Sequence, residues 1–457
     1  MSENIDKIIS DQRIFFNTQK TKDLDFRVRQ LKKLRSALYE FERDLYEALA
    51  KDLHRPKIET YGSEIGYCLN EISVVIKNLR AWASPVKAKG PKLFYFAKGS
   101  ICKEPLGVVL IIGPWNYPLG LLITPFIEAI AAGNCVVLKP SEVSVNTALV
   151  IQKMIEKHFG KEYVSVIQGG PEATQELLKR KFDYIFFTGG EAVGKIVMKA
   201  ASENLTPLTL ELGGKSPCVV DANAHLERAA SRICWGKFMN AGQTCIAPDY
   251  LLVDRKIKDQ FVDLLKIRII QFYGRNANES PNYGRIVNEK HFRRICGYLR
   301  DGHVVFGGQT DQKELYIAPT LIDNISLSAP VMQEEIFGPI LPILEYTGIE
   351  DAISFINSRP KPLALYVFSD DKVFEEKMLS GTTSGGVAVN DVLLHSNSPF
   401  IPFGGVGSSG FGRYHGKYGF DAFSNTRSVL RNTVLFDNFR FPPYLKFGLH
   451  IIRHNLK

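Results

Sequence analysis

Apolar side chains at Leu24, Val28, Leu31, Leu34, Leu38, Phe41, Leu45, Leu49 and Leu53 recur in steps of three and four. That spacing predicts an amphipathic helix over residues 24–53, its charged face in solvent, ending at His54-Arg-Pro56. Residues 105–127 carry no charged side chain, a length that could cross a bilayer. Gly113-Pro114, Asn116, Pro118 and Pro125 would break such a span repeatedly. The segment instead predicts a buried strand at 108–112, a rigid loop at 113–118 and a buried helix reaching about Ala132.

Short β-rich runs follow at 135–138, 164–167, 184–187 and 218–220, separated in most cases by helical stretches at 146–158, 172–180 and 193–203. Strand and helix in alternation predict a parallel sheet covered on both faces. A second alternating region over about 212–411 includes runs at 250–254, 364–368 and 386–390. Residues 91–105 read as a hairpin, with strands at 92–97 and 101–105 and a turn at Lys98-Gly-Ser100, an arm suited to subunit contact. In α/β sheets ligands bind beyond the carboxyl ends of the strands, so chemistry is sought there.

After the first strand comes Pro114-Trp-Asn-Tyr-Pro118, where two prolines fix Asn116; a rigid amide can donate to a developing oxyanion, or merely satisfy its own turn. Lys139-Pro-Ser-Glu142 follows the next strand, either contacting ribose hydroxyls or forming a Ser-capped helix start. Thr188-Gly-Gly-Glu-Ala-Val-Gly194 opens a helix whose N-terminus could face phosphate, though it fits neither standard nucleotide fingerprint. Glu211, beside Gly213 and Gly214, is either a general base raised by apolar surroundings or a solvent-facing charge. Asn240-Ala-Gly-Gln-Thr-Cys245 places one cysteine after a polar, glycine-bearing turn. Of the other six, Cys68, Cys135, Cys218, Cys234 and Cys296 lie in apolar or helical runs where a buried thiol is the default, and Cys102 lies in the hairpin. A thiolate at Cys245 would be both nucleophile and, as a thioester, leaving group.

The composition, 45% hydrophobic and 23% charged over 457 residues, is that of a globular chain and excludes a disordered one. The seven cysteines show no C-x-x-C pair or zinc spacing, so no metal is expected. With no apolar leader at the start, they point to the cytoplasm, with membrane association left open.

Together the segments resemble the NAD(P)-dependent aldehyde dehydrogenase superfamily over about residues 24–441. The motifs fall in order: Pro114-Trp-Asn-Tyr-Pro118, Lys139-Pro-Ser-Glu142, Phe187-Thr-Gly189, Glu211-Leu-Gly-Gly-Lys-Ser-Pro217, Gly242-Gln-Thr-Cys245, Glu335-Ile-Phe-Gly-Pro339 and Pro402-Phe-Gly-Gly405. The short N-terminus, Gly242-Gln-Thr-Cys-Ile-Ala-Pro-Asp249 and Tyr414-His-Gly-Lys417 are most similar to the class 3 and fatty-aldehyde branch; Gly190 departs from the Ser found in much of the superfamily. The resemblance implies an α/β fold with a modified Rossmann cofactor domain (1–90 and 106–210), an α/β catalytic domain (211–411) and a small β oligomerisation arm (91–105 and 412–440), followed by a basic amphipathic tail (441–457). It implies Cys245 as nucleophile, Glu211 as the base that activates water, and Asn116 with the Cys245 backbone N–H as oxyanion donors. Lys139 and Glu142 would bracket the adenosine ribose, Gly189 and Gly194 the pyrophosphate, and Glu335 and Phe337 the nicotinamide ribose and ring. The cofactor is NAD, with NADP left open, and the assembly a homodimer. Tyr67, Trp235 and Met239 would line an apolar funnel for medium- to long-chain or other extended apolar aldehydes. A CoA-acylating enzyme would need no Glu211, and a silent scaffold would need none of Cys245, Glu211 and Asn116.

The formal charge is +9, yet no basic stripe or motif for nucleic acid is present. Arg427, Arg431, Arg440, Lys446, Arg453 and Lys457 against Asp437 give +5 over residues 425–457. This tail also carries Phe439, Phe441, Leu445, Phe447, Leu449, Ile451, Ile452 and Leu456. It reads either as a peripheral membrane contact or as a segment packed on the partner subunit or the substrate's way in.

Overall fold

Continuous β-branched and aliphatic runs can be buried on both faces only where neighbouring strands take up every backbone N–H and C=O. In the computed structural model, which describes residues 2–89, 97–432 and 441–456, such runs build two sheets. The first orders Gly410–Phe411, Leu208–Glu211, Tyr184–Thr188, Val108–Ile112, Cys135–Lys139 and Val164–Val166. All its pairs are parallel except that of Gly410–Phe411 with Leu208–Glu211. The second orders His303–Phe306, Thr320–Asp323, Ile340–Tyr346, Tyr250–Asp254, Pro217–Val220, Ala364–Phe368 and Gly386–Val389, parallel except at its first strand. This is the α/β class that the alternation predicts.

Residues 105–127 form the strand Val108–Ile112, a loop, and the helix Gly120–Ala132, in which only Leu121 is not buried. A helix apolar all round is a core helix, and Pro125 is accommodated within it. The predicted helix over 24–53 is two helices, Leu24–Glu40 and Glu42–Leu53, because Phe41 leaves helical geometry at φ −95° and ψ 8°. Asp23 caps the first, its carboxylate accepting from the backbone of Asp25 and Phe26.

The hairpin expected over 91–105 does not form as read. Lys98–Pro105 is one continuous strand, so Lys98-Gly-Ser100 is not a turn. It pairs antiparallel with Val86–Ala88 on one side and Ser424–Arg431 on the other; of the expected first strand, residues 92–96 lie outside the described residues. The exposed three-stranded sheet joins chain positions more than 300 residues apart, which no local pattern announces. At the C-terminus Gly448–Asn455 is a short helix, with Tyr444, Leu445, Phe447 and Leu449 exposed before and within it.

Candidate active site

Cys245 follows a turn whose backbone is unusual: Asn240 and Ala241 both have φ 52°, and Gly242 φ 74°. Left-handed geometry at two non-glycine residues costs free energy and persists only where the surroundings over-determine it. Here they do. Gln243 is fully buried, donating to the carbonyls of Asn240 (3.0 Å) and Arg285 (2.9 Å) and accepting from Val287 N (3.0 Å). Asn240 Nδ2 donates to the carbonyls of Asn116 and Gln243, each at 3.1 Å. At Gly242 a Cβ would lie 2.3 Å from the carbonyl oxygen of Gly338, so only glycine fits.

Asn116 does not satisfy its own turn. Its Nδ2 donates 3.1 Å to the carbonyl of Gln243, two residues before Cys245, leaving a second N–H for another acceptor. The neighbouring Tyr117 hydroxyl pairs with Thr244 Oγ1 at 2.7 Å. Arg55, absent from the residues singled out by sequence, ties the parts together. Its buried guanidinium pairs with buried Glu64, donates to the Asn116 carbonyl and to Asn240 Oδ1 (3.3 Å), and stacks 4.5 Å from the Tyr117 ring centroid. Glu64 in turn accepts from the backbone of Leu119 (3.0 Å) and Gly120 (2.6 Å). No local pattern marks this network, because its members lie up to 185 residues apart.

Glu211 ends the strand Leu208–Glu211 and is buried, not solvent-facing, with neither carboxylate oxygen hydrogen-bonded. Burial pushes its pKa well above the usual carboxylate range, against the weaker pull of Arg413. Glu335 is raised to about 8, by burial and then by Asp249. Its side chain lies against Gly213, where a Cβ would sit 2.1 Å from Oε2. The Cys245 thiol, pushed up to about 12 by burial, also feels the charges of Glu335 and Glu211. Carboxyl groups from two motifs separate in sequence thus act electrostatically on one sulfur. Of the remaining cysteines, Cys68, Cys135, Cys218 and Cys234 are buried as expected, whereas Cys296 is half-buried.

Cys245 opens on a cavity of about 520 Å³ whose lining includes Tyr67, Trp235 and Met239, the funnel residues expected from sequence, together with Tyr117, Phe403 and Tyr414. Glu59 interrupts this apolar wall; it accepts from Asn240 N at 3.1 Å, and burial raises it to about 7.

Lys139 and Glu142 meet beyond the strand Cys135–Lys139, with Nζ 2.8 Å from Oε2. The helix that follows is not capped by Ser141: Asp52 accepts from the backbone of Asn146 (3.1 Å) and Thr147 (2.8 Å) instead. Gly189 sits at the turn into the helix Glu191–Ser202, but its N–H is committed to the carbonyl of Glu211 at 3.0 Å. Gly194 lets that helix approach Leu212, whose Cδ2 would lie 2.7 Å from a Cβ there. Phe337, at φ 49°, packs on Trp115 with ring centroids 5.2 Å apart. Arg294 pins the segment through the carbonyls of Glu335 (3.2 Å) and Ile336 (3.0 Å). A rigid segment carrying an orphaned buried oxygen, Glu335 Oε1, and a helix N-terminus beyond a parallel strand fit a dinucleotide.

The profile of the aldehyde dehydrogenase family matches residues 1–429. The chain belongs to that family. It is 50% identical over 443 residues to the 4,4'-diaponeurosporen-aldehyde dehydrogenase of Staphylococcus aureus, covering 96% of each chain. Over 444 residues it is 48% identical to the dimeric NADP-preferring aldehyde dehydrogenase of Canis lupus familiaris, covering 96% of this chain and 98% of the other. The solved substrate-bound state of Staphylococcus aureus AldH superposes with a TM-score of 0.97 at 49% identity, covering 99% of both. The family reading made from the motifs holds, as does its class 3 branch: this aldehyde dehydrogenase oxidises aldehydes to carboxylic acids with NAD(P).

Proposed function

We propose that Cys245 is the nucleophile, Glu211 the base, and Asn116 with the Cys245 backbone N–H the oxyanion donors. The opening of Cys245 on the apolar cavity, with Asn116 hydrogen-bonded into the turn before it and Glu211 buried without a partner, carries this reading. Sγ bonds to the aldehyde carbon, and the carbonyl oxygen takes its negative charge against the two N–H groups. Bound NAD(P) supplies the acceptor for the aldehyde's hydride. With the carbon now a thioester, Glu211 draws a proton from water, the water oxygen attacks, the C–S bond breaks, and the acid leaves with Cys245 restored. Lys139 and Glu142 hold the adenosine ribose. Gly189 and Gly194 shape the turn and helix that face the pyrophosphate, and Glu335 and Phe337 hold the nicotinamide end. Because Lys139 neutralises Glu142, a 2′-phosphate is repelled less than a lone carboxylate would repel it, so both NAD and NADP serve.

Glu211→Gln is expected to keep the rapid first turnover of NADH seen in stopped flow while slowing the steady state by roughly 10²–10³-fold. Since burial raises both Glu211 and Cys245, and both act deprotonated, wild-type kcat rises from pH 6 to pH 9. Equal loss in both phases would make Glu211 structural.

The cavity suits medium- to long-chain or other extended apolar aldehydes, and Glu59 disfavours substrates with a second carboxylate. Each added methylene buried in the cavity should improve kcat/KM by about 0.8 kcal/mol, roughly fourfold. A steady decline past about eight carbons in an alkanal series would contradict this.

The chain forms a homodimer through the exposed three-stranded sheet, as the name of the dimeric relative suggests for that protein. The two large sheets and the small one support a division into cofactor, catalytic and arm domains at 1–90 with 106–210, 211–411, and 91–105 with 412–440, although Gly410–Phe411 pairs in the first large sheet and Val86–Ala88 in the small one. Seven free cysteines suit the cytoplasm. Among the described residues no helix is long and apolar enough to cross a membrane. The exposed apolar and basic tail (441–457) favours a peripheral contact with anionic lipid. Full-length protein should co-sediment with phosphatidylserine vesicles and a chain ending at Asn438 should not; identical binding removes this contact.

A further inference from the structure

His415 lies outside the residues that line the cavity, yet the structure spends two buried carboxyl groups on holding it. The backbone at 415 and 416 is left-handed, with φ 78° and 53°. Its two N–H groups are taken separately: His415 N donates to Glu128 Oε1 and Gly416 N to Glu71 Oε1, each at 2.7 Å. A Cβ at Gly416 would lie 2.0 Å from the Pro399 carbonyl oxygen, so the turn has no freedom on that side. Ligand atoms of the two carboxyl groups and of the imidazole lie within 4.8 Å of one another. Burial and the neighbouring Glu71 hold Glu128 well above the usual carboxylate range, and its Oε2 has no partner. The imidazole is stacked on Tyr414, centroids 4.1 Å apart, and packs on Phe403 at 5.8 Å.

The purpose of so much fixing is visible at the imidazole Nε2. His415 Nε2 lies 2.8 Å from the hydroxyl of Tyr67, which also lies 3.3 Å from the Ser396 carbonyl oxygen. The phenol hydrogen can serve only one of these partners, so Nε2 either receives it or gives its own N–H to the phenol oxygen. In both tautomers the polar end of Tyr67 is tied to His415, which does not line the cavity, and lies beside the carbonyl of Ser396, which does, while Tyr67 itself lines it with Cys245. We propose that His415 is a positioning residue for aldehyde selection, holding the Tyr67 hydroxyl behind the wall so that an alkyl chain passes an apolar surface on its way to Cys245. This rests on the reading of the cavity as the aldehyde's passage.

The test is a double-mutant cycle in the full-length enzyme, read with hexanal and dodecanal at saturating NAD. Asparagine keeps a hydrogen-bonding side chain but reaches only as far as Nδ1. His415→Asn should therefore raise the KM for dodecanal roughly tenfold, as expected for a stranded buried hydroxyl, with kcat within about twofold. Added to Tyr67→Phe, which leaves no hydroxyl to strand, it should raise KM less than about twofold. Equal increases in both backgrounds overturn the proposal. His415→Gln, whose amide reaches about as far as Nε2, should keep the dodecanal KM within about threefold of wild type; a rise of roughly tenfold in this folded variant overturns the proposal whether or not His415→Asn folds. A wild-type KM indifferent to chain length would overturn the reading of the cavity and the proposal with it. A length-dependent wild-type KM with no coupling overturns the proposal alone.

Discussion

Cys245→Ala should lower NAD-dependent aldehyde oxidation by roughly 10⁴-fold or more, the scale on which loss of a covalent nucleophile is felt, while NAD binding and melting temperature stay near wild type. Deleting one sulfur from a side chain that already opens on a cavity removes little packing. Among the described residues the thiol is the only one on that cavity, and no hydroxyl in the turn has the soft, thioester-forming chemistry the reaction needs. Cys296→Ala, at the half-buried cysteine on the helix Glu289–Gly297, is the matched control and should retain full turnover. Residual activity of Cys245→Ala above a few per cent in initial-rate assays with purified protein would falsify the assignment.

Arg55→Met should be the most damaging substitution outside the reacting groups. It leaves the Glu64 carboxylate buried with only two backbone donors, and removal of one partner from a buried pair costs about 3–5 kcal/mol. It also removes the Arg55 N–H groups from the Asn116 carbonyl and Asn240 Oδ1, so the loop carrying the proposed oxyanion donor and the turn before Cys245 lose a shared anchor. The expected result is a clear fall in melting temperature by differential scanning fluorimetry together with a fall in kcat. Glu64→Gln on top of Arg55→Met removes the stranded charge and should recover melting temperature more than kcat. Recovery of both together would mean that Arg55 acts on stability alone.

Much of the site was legible because glycine, proline and the reactive residues stand close together in the chain. Asn116 between two prolines, Glu211 beside two glycines and Cys245 after a glycine turn each showed in a window of a few residues. The strands at 108–112, 250–254 and 364–368 were legible too, since burial on both faces demands an unbroken apolar run. The break at Phe41, the continuous strand Lys98–Pro105 and the role of Asp52 as a distant helix cap were not, because each depends on a partner supplied from elsewhere in the fold.

The order of motifs alone therefore determined the family and the reaction and singled out the side chains proposed to react, since chemistry needs particular residue types in particular local backbones. Only the tertiary structure decided how those side chains are tuned and held. That Glu211 is buried without a partner, that Asn116 bonds to the cysteine turn, that Arg55 and Gln243 brace that turn, and that His415 meets the Tyr67 hydroxyl are consequences of desolvation and long-range hydrogen bonding. Such interactions join groups tens to hundreds of residues apart, and their strength depends on the exclusion of water, which exists only once the chain has folded.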